Sequence, residues 1–100
     1  MNSYSKQTLC LVEAIYNKNL RLLQKAIMRG ALINTAIDRH QLTPLHYAVL
    51  MNFPEGVKAL LNAGANEYVK SDLETYQLTP WEIACLFEYM TVSNIFNGYC

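Results

Sequence analysis

The chain has 100 residues, 52% of them hydrophobic and only 16% charged, with eight Lys and Arg balanced by eight Asp and Glu. That length supports one domain with a modest core, and the apolar content excludes a disordered chain. Nucleic-acid binding needs a basic surface of some extent, and the few cations of the first half, offset by an acidic second half, argue against it.

The charge is unevenly spread. Residues 1–50 carry six cations against two anions, a net +4, and residues 51–100 carry two against six, a net −4. The molecule is therefore expected to be electrically polar, a property that steers partners more than it shapes the fold. Cys10, Cys85 and Cys100 form an odd set without paired spacing, so no disulfide framework is expected and a reducing, cytoplasmic setting is the default. The apolar run from Leu9 to Tyr16 is short and broken by Glu13, which predicts neither a signal peptide nor a membrane span.

In chain order, Leu9, Val12, Ala14 and Ile15 follow a helical period, with Ser5 or Thr8 as a cap. Asn17, Lys18 and Asn19 form a turn, and a second helix runs from about Leu20 to Met28 and stops at Arg29 and Gly30. Arg21, Lys25 and Arg29 fall four apart on one face of it and read as a solvated row. Ile33 to Leu42 is a protruding finger carrying Asp38, Arg39 and His40. Next come a helix from Pro44 to about Met51, a turn at Asn52–Pro54, and a helix from about Glu55 to Ala63 with Leu61 read as core. Gly64 closes that helix, while Gly56 weakens it by up to about 1 kcal/mol relative to Ala. Then follow a longer finger over Val69 to Gln77, a helix from Pro80 to about Tyr89, and a last short helix marked by Val92, Ile95 and Phe96.

Two phrases organise this series. Leu42-Thr43-Pro44-Leu45-His46-Tyr47-Ala48 returns as Leu78-Thr79-Pro80-Trp81-Glu82-Ile83-Ala84. In each, Thr supplies a capping hydroxyl and Pro takes the first helical position, where its missing N–H costs nothing. Ala14 and Ala48, like Gly30 and Gly64, lie 34 residues apart, so the first helix pair is a divergent copy with Leu9 and Cys10 in place of Thr and Pro. The Thr-Pro phrases are 36 apart, which puts extra residues in the second finger.

These phrases, with Gly64 ending the central pair, resemble the ankyrin repeat, a unit of about 33 residues. The resemblance implies an all-α fold: an ankyrin-repeat solenoid of about three stacked helix-turn-helix units with protruding β-hairpin loops. It divides a single 1–100 domain into repeats at about 5–38, 39–74 and 75–100. It also implies that the His46 ring bonds to backbone and to the Thr43 hydroxyl, tying neighbouring repeats. Glu82, in the matching place, needs different chemistry to do the same.

Catalytic, metal and cofactor-binding residues are not indicated. His40 and His46 are the only histidines, no two of the cysteines and histidines have zinc-ligand spacing, and the four glycines form no phosphate loop. The expected function is a non-enzymatic protein-binding module without cofactors. The resemblance places its surface on the fingers and a concave palm of inner-helix positions. The palm positions are Tyr16, Asn17, Leu50, Met51, Leu86 and Phe87. The finger positions are Asp38, His40, Glu67, Asp72, Glu74 and Tyr76, whose acidic members suit a partner protein with a basic patch. Neither nucleic acid nor membrane is an expected partner. With no effector domain evident, blocking or neutralising the partner, as an inhibitor or immunity protein does, is the expected mode. The second reading is a scaffold or self-associating subunit using the C-terminal repeat, and otherwise the chain is expected to be a monomer.

Overall fold

The computed structural model describes residues 6–37, 41–72 and 77–96. Over these residues it is all-α, with six helices in three pairs and no strand. The first pair is α1 (Lys6–Tyr16) and α2 (Leu20–Met28), the second α3 (Pro44–Leu50) and α4 (Pro54–Asn62), the third α5 (Pro80–Leu86) and α6 (Met90–Ile95). Helices α1, α3 and α5 pack side by side as an inner row, and α2, α4 and α6 as an outer row. The pairs therefore stack in chain order, with the basic pair at one end.

The same turn joins the helices within each pair. Lys18, Asn52 and Glu88, separated by 34 and then 36 positions, all adopt positive φ, at 52°, 52° and 59°. The next N–H in each case reaches back to the alanine carbonyl of the preceding helix: Asn19 to Ala14 at 2.8 Å, Phe53 to Ala48 at 3.0 Å, Tyr89 to Ala84 at 2.9 Å. This back-bond satisfies helix-end carbonyls that would otherwise lack partners. It also ends α5 at Leu86 rather than near Tyr89, because Glu88 turns left-handed despite being a poor turn residue.

Helix starts are built less uniformly. Thr43 and Thr79 cap α3 and α5 as expected, each accepting the N–H three residues on, from His46 at 3.4 Å and Glu82 at 3.3 Å. Asn19 caps α2 by accepting the Leu22 N–H at 3.1 Å. Thr8 is not a cap: it is buried within α1 and accepts the Leu32 N–H at 3.0 Å, tying α1 to the chain that leaves α2.

Each finger is pinched at its base. The Ile37 N–H donates to the Leu42 carbonyl at 2.7 Å, and the Ser71 N–H to the Leu78 carbonyl at 2.8 Å. These are equivalent positions, so the two additional residues of the second finger lie between 71 and 78. The hairpins expected here contain no strand among the described residues. Neighbouring fingers are joined by Asn34, whose side chain accepts the Asn66 N–H at 2.6 Å and donates to the Gly64 carbonyl at 3.3 Å.

One core runs through all three pairs, from Leu11, Ala14, Ile15 and Leu23 through Leu45, Ala48, Val49, Val57 and Leu60 to Ile83, Ala84 and Val92. The fully buried alanines allow the inner helices to approach closely. Gly56, Val57 and Leu60 are the buried positions of α4, and Leu61, expected in the core, is half-buried and packs against it.

Gly56 has a packing reason. A Cβ there would run into the ring of Phe53, which is itself buried. Helix propensity alone makes Gly56→Ala stabilising by about 1 kcal/mol. The Phe53 contact reverses that sign, and the substitution is expected to destabilise by about 1–3 kcal/mol as overpacking. Urea melts of the two proteins decide between these outcomes.

Candidate functional site

The Thr-Pro turn of the second pair supplies the molecule's main polar junction. His46 is fully buried, and its Nδ1 lies 3.1 Å from the Thr43 nitrogen and 2.8 Å from the Thr43 hydroxyl. A peptide N–H can only donate, so Nδ1 accepts and the ring proton sits on Nε2. Nε2 then donates to the Leu78 carbonyl at 3.0 Å, bonding the second pair to the third. The ring is structural, with both nitrogens engaged.

Glu82 fills the matching place with a different outcome. Its Oε1 accepts the Thr79 N–H at 2.9 Å, so the cap within the turn is kept. That bond, chiefly, holds the Glu82 carboxyl below its ordinary pKa, with a smaller contribution from Lys70. An ionised carboxylate only accepts, so it cannot repeat the His46 bond to a following carbonyl.

The residues expected on the palm divide into two groups. Tyr16, Leu86 and Phe87 are 52%, 65% and 50% exposed, and Asn17 is also exposed. Leu50 and Met51 between them are half-buried and pack against the core. Two aromatic residues not assigned to the palm in advance join it. Tyr47 meets Tyr16 with ring centroids 5.6 Å apart across neighbouring pairs, and Tyr89 stacks on Phe87 at 5.6 Å. Tyr47 was available from periodicity, since it lies three residues before Leu50 on the same helix. Tyr89 was hidden by the misplaced end of α5.

Of the finger residues, Glu67 is half-buried and Asp72 exposed, while Asp38, His40, Glu74 and Tyr76 lie outside the described residues. Tyr68, beside Glu67, is exposed, and its N–H donates to the Asn66 side chain at 2.9 Å. Cys10 is a half-buried free thiol, and Cys85 is half-buried on α5. Among the described residues no group of three His, Cys, Asp or Glu could hold a metal ion, and no helix is long and apolar enough to cross a membrane.

The central pair, its Thr-Pro cap, its bridging histidine and its glycine-closed outer helix all fall within one match to a family model, the ankyrin repeat, at residues 40–72. This stretch is an ankyrin repeat. The paired helices on either side extend it into an ankyrin-type helical repeat fold. No curated protein matches the chain. Ankyrin repeats generally mediate protein–protein interactions, and in the ankyrin unit found here the polar residues of the Thr-Pro turn are committed to holding the stack together.

The lowered Glu82 carboxyl has a consequence for stability. The folded protein keeps this group ionised at a pH where the unfolded chain protonates it, so its cap stabilises above the ordinary carboxylate range and is lost as pH falls through the lowered value. Glu82→Gln keeps an acceptor but removes the charge. Its melting temperature is expected below that of the native protein at neutral pH, with the gap closing in acid; a constant gap in thermal scans from pH 7 to pH 3 would contradict this origin.

Proposed function

We propose that this chain, 1–100 as one ankyrin domain in three repeats, binds another protein through its inner-helix face and occludes the surface it covers. The observation that carries this reading is the exposed apolar row at the C-terminal ends of the inner helices. Tyr16, Leu86 and Phe87 are its exposed members, with half-buried Tyr47, Leu50 and Met51 between them. Apolar and aromatic side chains of this kind supply the anchors of protein interfaces.

The second finger adds to that surface. Glu67 and Asp72, with Tyr68 beside them, favour a partner bearing a basic patch, and the acidic half of the molecule steers such a partner in. Asp38, His40, Glu74 and Tyr76 extend the same two fingers in sequence. Blocking follows from rigidity: a packed solenoid face that buries an apolar patch denies that patch to other molecules. An inhibitor or immunity-type role is the concrete form of this action.

Leu86→Glu combined with Phe87→Glu tests the reading. Both side chains project from the stack, so unfolding free energy is expected to change by no more than about 1 kcal/mol, while binding weakens by about 2 kcal/mol or more. Capture from the native extract with each form, mass spectrometry of the difference, and titration of the recovered protein provide the measurement. Equal capture by both forms removes the palm from the interface. A partner whose activity is unaffected by saturating binder keeps the interface and removes the blocking role.

A further inference from the structure

Comparing equivalent positions in the three pairs shows where the stack is left uncovered. On the side facing a preceding pair, Pro44 and Gly56 of the second pair and Pro80 and Val92 of the third are buried. Their counterparts in the first pair, Cys10 and Leu22, are half-exposed and line a groove of about 190 Å³. Lys6, Lys25 and Arg29 surround the same groove, and all three are exposed.

The opposite end shows the complementary loss. Leu45, Leu60 and Thr43 are buried under the third pair, whereas the corresponding Trp81, Phe96 and Thr79 are half-exposed. They line a second groove, of about 420 Å³, together with Glu67, Lys70 and Glu82. Within it the Trp81 Nε1 is buried and has no hydrogen-bond partner among the described residues. Glu82 presents a carboxylate where the second pair presents the His46 N–H, so this end favours a cation over a further backbone carbonyl.

One end is thus an apolar groove ringed by cations, and the other an apolar groove with two carboxylates against a single lysine. We propose that the protein associates head to tail with a second copy of itself. The α5–α6 end of one copy seats on the α1–α2 groove of the next, continuing the stack. Lys25 and Arg29 of the receiving copy face Glu67 and Glu82 of the incoming one, Leu22 packs against Trp81 and Phe96, and Gln7 in the receiving groove offers an amide oxygen to the Trp81 donor. The zero net charge of the chain allows the two copies to approach without overall repulsion. The contact is heterologous, so it propagates and yields a series of species rather than one closed dimer. It uses the ends of the stack and does not depend on the palm.

Trp81 is the only tryptophan, so its emission reports on the tail end alone. With rising protein concentration the emission is expected to shift to the blue while the weight-average mass in sedimentation equilibrium rises, both effects being weaker at high salt. Lys25→Glu with Arg29→Glu, at the end remote from Trp81, is expected to weaken association about tenfold or more and to suppress the emission shift. Glu67→Lys is expected to do the same. An equimolar mixture of these two variants restores association, because the reversed head meets the reversed tail, and this rescue also shows that neither variant is misfolded. Leu86→Glu with Phe87→Glu leaves association unchanged. The proposal is overturned by a constant monomer mass from micromolar to near-millimolar concentration. It is equally overturned by an emission shift that survives the Lys25 and Arg29 reversals, which indicates pairing of two tails, or by failure of the mixture to associate.

Discussion

A pair of short helices cannot bury its own apolar face, and the structure depends on meeting that constraint by stacking one pair on the next. Burial alone would let the pairs slide. The His46 ring prevents this at the junction of the second and third pairs, where it accepts from the Thr43 N–H on one side and donates to the Leu78 carbonyl on the other. Those backbone groups sit where water has little access, and leaving such a group without a partner costs about 1–3 kcal/mol. Thr8 and Asn34 act similarly at other points, joining a side chain of one segment to backbone of another far along the chain. Registry in the stack therefore comes from polar bonds, and cohesion from the shared core.

The same constraint explains where the molecule is exposed. Positions that are buried in the second pair are half-exposed at the two ends of the described stack, at Cys10 and Leu22 on one side and Trp81 and Phe96 on the other. The palm is a different kind of exposure. Tyr16, Leu86 and Phe87 lie along the flank of the inner helices, and the ring contacts of Tyr16 and Phe87 leave both side chains half exposed. An all-helical repeat thus offers distinct surfaces for side-on and end-on recognition, and their chemistry differs. The flank presents Tyr16, Leu86 and Phe87, whereas the ends combine apolar floors with opposite charge.

Much of this was legible in the amino-acid order. The repeated Thr-Pro phrase located both caps, because a hydroxyl before a helical proline has few other uses, and the 34-residue spacing of alanines and glycines exposed the divergent first pair. Positions of α2, α3 and α4 followed from turn residues at their ends. The end of α5 did not, because Glu88 takes a left-handed conformation that its side chain does not favour, and the back-bond from Tyr89 to Ala84 imposes it. Thr8 read as a cap because a hydroxyl near a helix start usually is one; its actual partner, Leu32, is 24 residues away. Gly56 read as a weak spot because propensity is local, while the Phe53 ring that requires it is packed by the fold.

The sequence by itself determined the helical repeat, its approximate count of units, the uneven charge and the identity of the capping residues, since all of these are set by patterns within a few dozen neighbouring positions. Only the tertiary structure decided which apolar residues are sealed and which remain open. Met51 and Phe87 stand at equivalent positions, yet Met51 packs against the core and Phe87 is half exposed. Leu45 and Trp81 are equivalent too, and differ because one has a helix pair stacked upon it and the other does not. Burial is a property of what lies across the interface, and a repeating pattern of residues is silent about its neighbours in space.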